Sequence, residues 1–132
     1  MSGRVLTSSA ITDIATGQSI YARAFLVAAV ELGMSLPTPS SELLHAWASV
    51  PTESRALLEL FLDAPAVQVE ELDATTASAA GVRAWRMHQG VDVAAAHAVE
   101  VAIARDLPIL TANPAPVRAI SSAVQIEELP EL

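Results

Sequence analysis

The chain has 132 residues, 52% of them apolar, with no cysteine and no lysine, and its fifteen acids against seven arginines give a formal net charge of −8. That length suits one domain, 1–132, around one apolar core, and no apolar run reaches the roughly eighteen residues that a membrane span needs. A surface of this sign repels a phosphate backbone at long range, so RNA is disfavoured as a ligand unless arginines are focused on one face. Arg83 and Arg86 share a helix face, but two residues make a small patch. The polar run Thr7-Ser8-Ser9 comes too early for a signal peptide's apolar region, and the lack of cysteine suits a reducing compartment; the expected address is cytoplasmic.

Short apolar runs alternate with helical periods along the chain, an α/β signature. Val5-Leu6 reads as a short buried strand, followed by a helix capped by Ser8 or Ser9 and running to about Thr16, where Gly17 stops it. A second helix spans about Ser19 to Leu32, with Tyr21, Phe25, Leu26, Ala29 and Val30 on one stripe and Gly33 as its stop. Met34 to Leu36 forms the next strand, closed by Pro37 and Pro39. Ser40 or Ser41 caps a helix to about Ser49, and Thr52 caps another to about Asp63.

Val67 to Val69 alternates as a strand, with Val69 expected in the sheet interior beside Leu6 and Leu110. A helix from Thr75 runs toward His88 and ends at Gly90. Asp92 opens the last long helix, to about Arg105, which is apolar nearly all round and therefore expected to be buried. Ile109-Leu110 is a buried strand, Pro116 to Ile120 a short helix, and Val124 to Ile126 an edge strand. Short apolar strands separated by helices suit a parallel sheet covered on both faces, and function in such sheets sits beyond the carboxyl ends of the strands.

Three stretches lie at those ends: Val5-Leu6-Thr7-Ser8-Ser9-Ala10, Val91-Asp92-Val93-Ala94-Ala95-Ala96-His97 and Ile109-Leu110-Thr111-Ala112-Asn113-Pro114. Their order and spacing resemble the site motifs of the PIN domain family, and the element order resembles that family over nearly the whole chain. The resemblance implies a three-layer α/β sandwich with a short, mostly parallel sheet flanked by helices. It also implies descent from Mg²⁺- or Mn²⁺-dependent ribonucleases, many of them VapC-like toxins paired with an antitoxin. Hard divalent cations want oxygen ligands, and carboxylates supply both ligands and compensating charge.

The sequence departs from that acidic pattern. Thr7 stands where the family usually has Asp, and Pro116 where an Asp is common; Ser9, Asp92, Thr111 and Asn113 match. The remaining acidic position has two alignments: the helix start selects Glu42, whereas Pro39 and the Ala46-Trp47 pair select His45, the slightly better fit. At most Glu42 and Asp92 remain as catalytic or metal-ligating acids, enough to hold one Mg²⁺ or Mn²⁺ ion weakly. The expectation is a degenerate PIN protein that has lost metal-dependent ribonuclease activity and serves in binding or regulation, without a cofactor. The alternative is an active nuclease with a reduced acidic site.

His97 and Glu100, one turn apart, are either a metal or proton-transfer pair or a hydrogen-bonded core element, and the core role is the commoner. Trp47 and Trp85 sit among aliphatic residues at helical spacing, as core or interface side chains do. Glu127, Glu128 and Glu131 form an acidic tail without a motif. So large an apolar fraction in so small a chain predicts a homodimer or a small antitoxin-like protein partner.

Overall fold

A computed structural model describes residues 2–130, and the side chains of His88 and Gln89 lie outside what is described. Five short strands carry the sheet: β1 (Val5–Leu6), β2 (Leu36–Pro39), β3 (Val67–Glu70), β4 (Ile109–Thr111) and β5 (Ile126–Glu128). Seven α-helices link them: α1 (Ser8–Thr16), α2 (Ile20–Leu32), α3 (Ser40–Ser49), α4 (Arg55–Leu62), α5 (Ala74–Arg83), α6 (Val93–Arg105) and α7 (Ala115–Ile120). All strand pairs are parallel: β1, β4 and β5 form one ladder in that order, β2 and β3 another. A parallel bridge from Gly3 to Ser35 joins the two, giving the order β3, β2, β1, β4, β5.

The join is narrow because of two prolines. Ser35 directs its N–H at the β1 side, donating to the Ser2 carbonyl at 3.4 Å, and Leu36 directs its own at the β3 side, donating to Ala66 at 2.8 Å. Residues 37 and 39 repeat the orientation of 35, and both are prolines with no N–H to give, so the β1–β2 ladder stops after one bridge. The strand itself therefore spans Leu36–Pro39 rather than Met34 to Leu36: the prolines lie within it instead of closing it. Gly3 makes the bridge possible, since a Cβ there would lie 2.2 Å from the Ser35 carbonyl oxygen.

Successive strand residues face opposite sides of the sheet and feed two cores. Leu6 and Leu110 point into a cluster with Ile11, Ile14, Leu36, Leu58 and Phe61, roofed by α1 to α4. Val5 and Ile109 point the other way, against Ala95, Ala98, Val99, Ala102 and Val117 of α6 and α7. The helix of residues 93–105 is buried as expected over Ala94–Val99, Val101 and Ala102, while Val93 and Ile103 are exposed. Alanine lets α6 lie close on the sheet, which is why a helix so poor in large side chains forms one wall of the core.

Several local expectations are corrected. Val69 is 47% exposed rather than interior, because β3 is the sheet's edge strand and the cover ends at the partly buried Val67. On α2 the inward stripe is Ala22, Phe25, Leu26 and Ala29, and Tyr21 and Val30 face outward. The N-caps of α1 and α3 are Thr7 and Pro39, one residue before the serines predicted, and neither makes a side-chain cap bond. Thr52 opens a 3-10 turn, Thr52–Ser54, ahead of α4. Asp73, accepting from the Thr76 N–H, starts α5, which gives way to a 3-10 stretch over Trp85–Gly90 instead of continuing toward His88. β5 falls two residues later than expected. Glu131 lies outside the described residues, and Glu127 of the acidic tail pairs with Arg4 at 2.5 Å.

Among the described residues, no helix is long and apolar enough to cross a membrane.

Candidate functional site

The carboxyl ends of β1 and β4 lie side by side, Leu6 opposite Leu110. Thr7, one residue past β1, and Thr111, the last of β4, are both buried there. Ser9 in the first turn of α1 completes a hydroxyl chain: Thr7 Oγ1 to Ser9 Oγ at 3.0 Å and Ser9 Oγ to Thr111 Oγ1 at 3.2 Å.

Proton counting gives this chain a direction. Thr7 Oγ1 donates to the Leu110 carbonyl at 3.0 Å. A hydroxyl has one proton, so Ser9 is the donor to Thr7 and Thr111 the donor to Ser9. Ser9 Oγ also accepts from the Ala112 N–H at 2.9 Å, and Thr111 Oγ1 from the Asn113 N–H at 3.1 Å. Ser9 thus uses its one proton and both lone pairs, and none of the three hydroxyls has a proton left for a ligand. The network is neutral, and Thr7 and Thr111 each keep one lone pair free.

The two acids stand beside it. Glu42, in the first turn of α3, is 5% exposed, and its Oε1 accepts from the Ser8 N–H at 3.1 Å. Burial pushes its carboxyl above the usual range; the Ser8 N–H opposes this, Asp92 adds to it by repulsion, and His45 opposes it by attraction. Asp92 is exposed and caps α6, its Oδ1 accepting from the Ala95 N–H at 3.0 Å. The structure thus brings Thr7, Ser9 and Thr111 into contact, with Glu42 attached through Ser8 and Asp92 within electrostatic reach of Glu42.

Other predicted positions stand apart. Of the two alternatives on α3, it is the Glu42 carboxylate that reaches the cluster. His45, one turn on, is exposed and acts on Glu42 through charge. Asn113 joins through its backbone N–H while its residue is exposed, and Pro116 lies in α7, half-buried. Sequence reasoning missed the Leu110 carbonyl and the Ser8 and Ala112 N–H groups, which are backbone partners that residue identity does not signal. An open cavity of about 480 Å³ flanks the network, lined by Ser8, Ser9, Thr12, Asp13, Gln18, Ser49, Ala112 and Pro130. Asp13 takes little part in it, since its carboxylate is already bound by the Ser19 N–H and hydroxyl at 2.8 and 2.7 Å.

Metal ligation needs a denser acid set. Among the described residues no group of three or more His, Cys, Asp or Glu converges to hold an ion. Glu42 and Asp92 each spend an oxygen on a backbone N–H, and the position after β1 holds a neutral hydroxyl in place of a carboxylate. The donor set does not fit a two-metal centre.

No protein-family model and no curated protein matches the sequence. Solved structures do. A chain in the crystal structure of VapBC2 from Rickettsia felis bound to a DNA fragment from their promoter superposes with a TM-score of 0.74 at 12% identity, covering 97% of this chain and 99% of that one. A chain of DNA-bound VapBC from Salmonella typhimurium gives a TM-score of 0.72 at 17% identity, covering 97% and 98%.

The fold is PIN-like. Within the PIN-like frame, the Thr7 hydroxyl stands after β1 where the family resemblance led us to expect an Asp, beside the Ser9 and Thr111 hydroxyls that match the family pattern.

Proposed function

We propose that this chain is a PIN-like module of toxin–antitoxin descent that acts by binding a protein partner and does not cleave RNA. The observation that carries this reading is the neutral hydroxyl network in which Thr7 stands for a carboxylate: Thr7 gives its proton to Leu110, Ser9 to Thr7 and Thr111 to Ser9. Two divalent cations about 4 Å apart require several carboxylates to offset their repulsion, and three neutral hydroxyls offer none. Likeness to chains of VapBC complexes supports the descent.

Outward-facing apolar residues support a partner. On α2, Ile20, Val27 and Leu32 are 81%, 55% and 73% exposed, and on α4, Leu57 and Leu60 are 44% and 64% exposed. Ridges of this kind mark association surfaces. The occupant is a second copy of the chain or a small antitoxin-like protein; light scattering of the pure protein at micromolar concentration separates the two, a dimer mass indicating the first.

A second reading has one observation in its favour. Asp92 raises the Glu42 carboxyl by repulsion, and a single Mg²⁺ or Mn²⁺ ion between them would relieve it. Calorimetric titration of the protein with Mn²⁺, beside a Glu42→Gln, Asp92→Asn double variant, tests that reading. Binding that the double variant abolishes supports one weak site, and its absence removes the reading.

A further inference from the structure

The helix α2 is poorly covered: of its thirteen residues, Ala22 and Ala29 alone are buried. α4 belongs to the same layer, since its Leu58 and Phe61 share the core cluster of those alanines, and α1 packs against both helices. The outer faces of α2 and α4 therefore look away from the sheet on the same side. Ile20 and Val27 of the one and Leu60 of the other stand out there among the exposed apolar residues.

The charges on this side are mostly acidic. Glu31 near the end of α2, and Glu53, Glu59 and Asp63 along α4 and the turn before it, are all exposed. Arg23 donates from Nε and Nη2 to the Ile14 and Ala15 carbonyls at 2.8 and 3.3 Å, so its charge serves the negative end of α1. Arg55 is left to face the four carboxylates.

At the start of α2 a cavity of about 570 Å³ opens beside Tyr21 and Phe25, with Leu110 and Leu129 as its floor and Glu127 and Glu128 at its rim. Arg4 shows what suits this corner: it pairs with Glu127, and its guanidinium carbon lies 5.3 Å from the centre of the Phe25 ring. A long side chain with an apolar stem and a cationic head satisfies ring and carboxylate together. Glu128 is exposed and, among the described residues, makes no ion pair.

These charges discriminate between occupants. A second copy brings the same acids, and two such faces in contact set like charges against each other. A basic partner is steered toward the acids, and its lysine and arginine stems cover apolar surface as well.

We propose that the side formed by α2 and α4 takes a basic amphipathic segment of another protein, and does not join two copies of this chain. Apolar residues of that segment lie on Ile20, Val27 and Leu60, and one of its lysines or arginines enters the cavity beside Tyr21. The proposal rests on the binding role given above and chooses between its two occupants.

Two amphipathic helical peptides with the same leucine stripe, one with lysine and one with glutamate on the polar face, serve as probes. Their binding to the full chain is read by fluorescence anisotropy, and light scattering at micromolar concentration gives the mass. The expected mass is that of a monomer, and the lysine peptide binds about tenfold more tightly than the glutamate peptide, or better. An Ile20→Ser, Val27→Ser variant and a Glu59→Lys, Glu128→Lys variant each weaken the lysine peptide by about tenfold. A Glu71→Lys, Asp106→Lys variant makes the same charge change elsewhere, beside His97 and at the end of α6, and binds it nearly as the parent does.

A dimer mass that a Val27→Glu, Leu60→Glu variant abolishes overturns the proposal and leaves the binding role standing, with a second copy as the occupant. A dimer that survives that variant is joined elsewhere, and the peptides decide. Equal binding of the two peptides, or equal weakening by the two charge variants, also overturns the proposal, because the attraction is then that of the net charge alone. A monomer that binds neither peptide overturns the binding role itself, and the proposal with it.

Discussion

Ser9 and Thr111 face each other across the mouth of the sheet with hydroxyl oxygens 3.2 Å apart, and Thr111 is the donor, because the Ser9 proton is already given to Thr7. Ser9 also accepts from the Ala112 N–H, so its loss leaves two donors, that backbone N–H and the Thr111 hydroxyl, without their acceptor. The Ser9→Ala variant is expected to lose about 1–3 kcal/mol of stability by urea denaturation, and Ser9→Thr to lose less. Equal stability of Ser9→Ala and the parent would mean that the network does not hold the site.

Gly3 is held by contact rather than by backbone dihedral. Its missing Cβ would sit 2.2 Å from the Ser35 carbonyl oxygen, at the bridge that joins the two ladders. Gly3→Ala should lower stability by about 1–3 kcal/mol, the usual cost of forced overpacking. Exchange of the Arg4 amide, which donates to Ser35, should speed up as the bridge opens. An unchanged Arg4 amide would contradict this.

Glu42 gives the stability of the fold a dependence on pH. Its carboxyl is raised by burial and by Asp92, so the folded state holds this proton more tightly than the unfolded chain. Its contribution to stability is fully present below the unfolded value of about 4.5 and is lost as pH rises through the folded value. Glu42→Gln keeps an oxygen for the Ser8 N–H without the buried charge. It should therefore melt higher than the parent at neutral pH, with the gap closing toward pH 4. A lower melting temperature at pH 7 would show that the charge is held by a favourable partner.

Leu6 and Leu110 are opposed on adjacent strands and buried, at 1% and 2% exposure. Either leucine to alanine should cost about 2–5 kcal/mol. Val69→Ala on the exposed edge strand should cost under about 1 kcal/mol, the measure being chemical denaturation of the three variants side by side.

Much of this architecture is legible from local signals. Gly17 and Gly33 stop α1 and α2 in left-handed conformations, and Asp92 caps α6; each is a short-range effect that residue type announces. The errors share another origin. Whether Pro37 and Pro39 break a strand depends on which neighbour their missing N–H would face, and whether Val69 is buried depends on β3 lying at an edge. Both are properties of strand order.

The site divides in the same way. The positions of Thr7, Ser9, Thr111 and Asp92 follow from motif spacing, which left Glu42 and His45 as alternatives. That the Glu42 carboxylate meets the Ser8 N–H while His45 is exposed required the direction of each side chain on α3, and the direction of the hydroxyl chain required the Leu110 carbonyl, 103 residues from Thr7 in sequence.

The central claim is that, with Thr7 and Pro116 in place of carboxylates, the site lacks the acid cluster that metal-dependent cleavage needs, and it is tested by incubating the purified protein with single-stranded and structured RNA in Mg²⁺ and in Mn²⁺. The Glu42→Gln, Asp92→Asn double variant runs beside it. The account predicts no metal-dependent cleavage by either protein. Cleavage by the parent that the double variant abolishes would contradict it, and would show that Glu42 and Asp92 suffice for a working site.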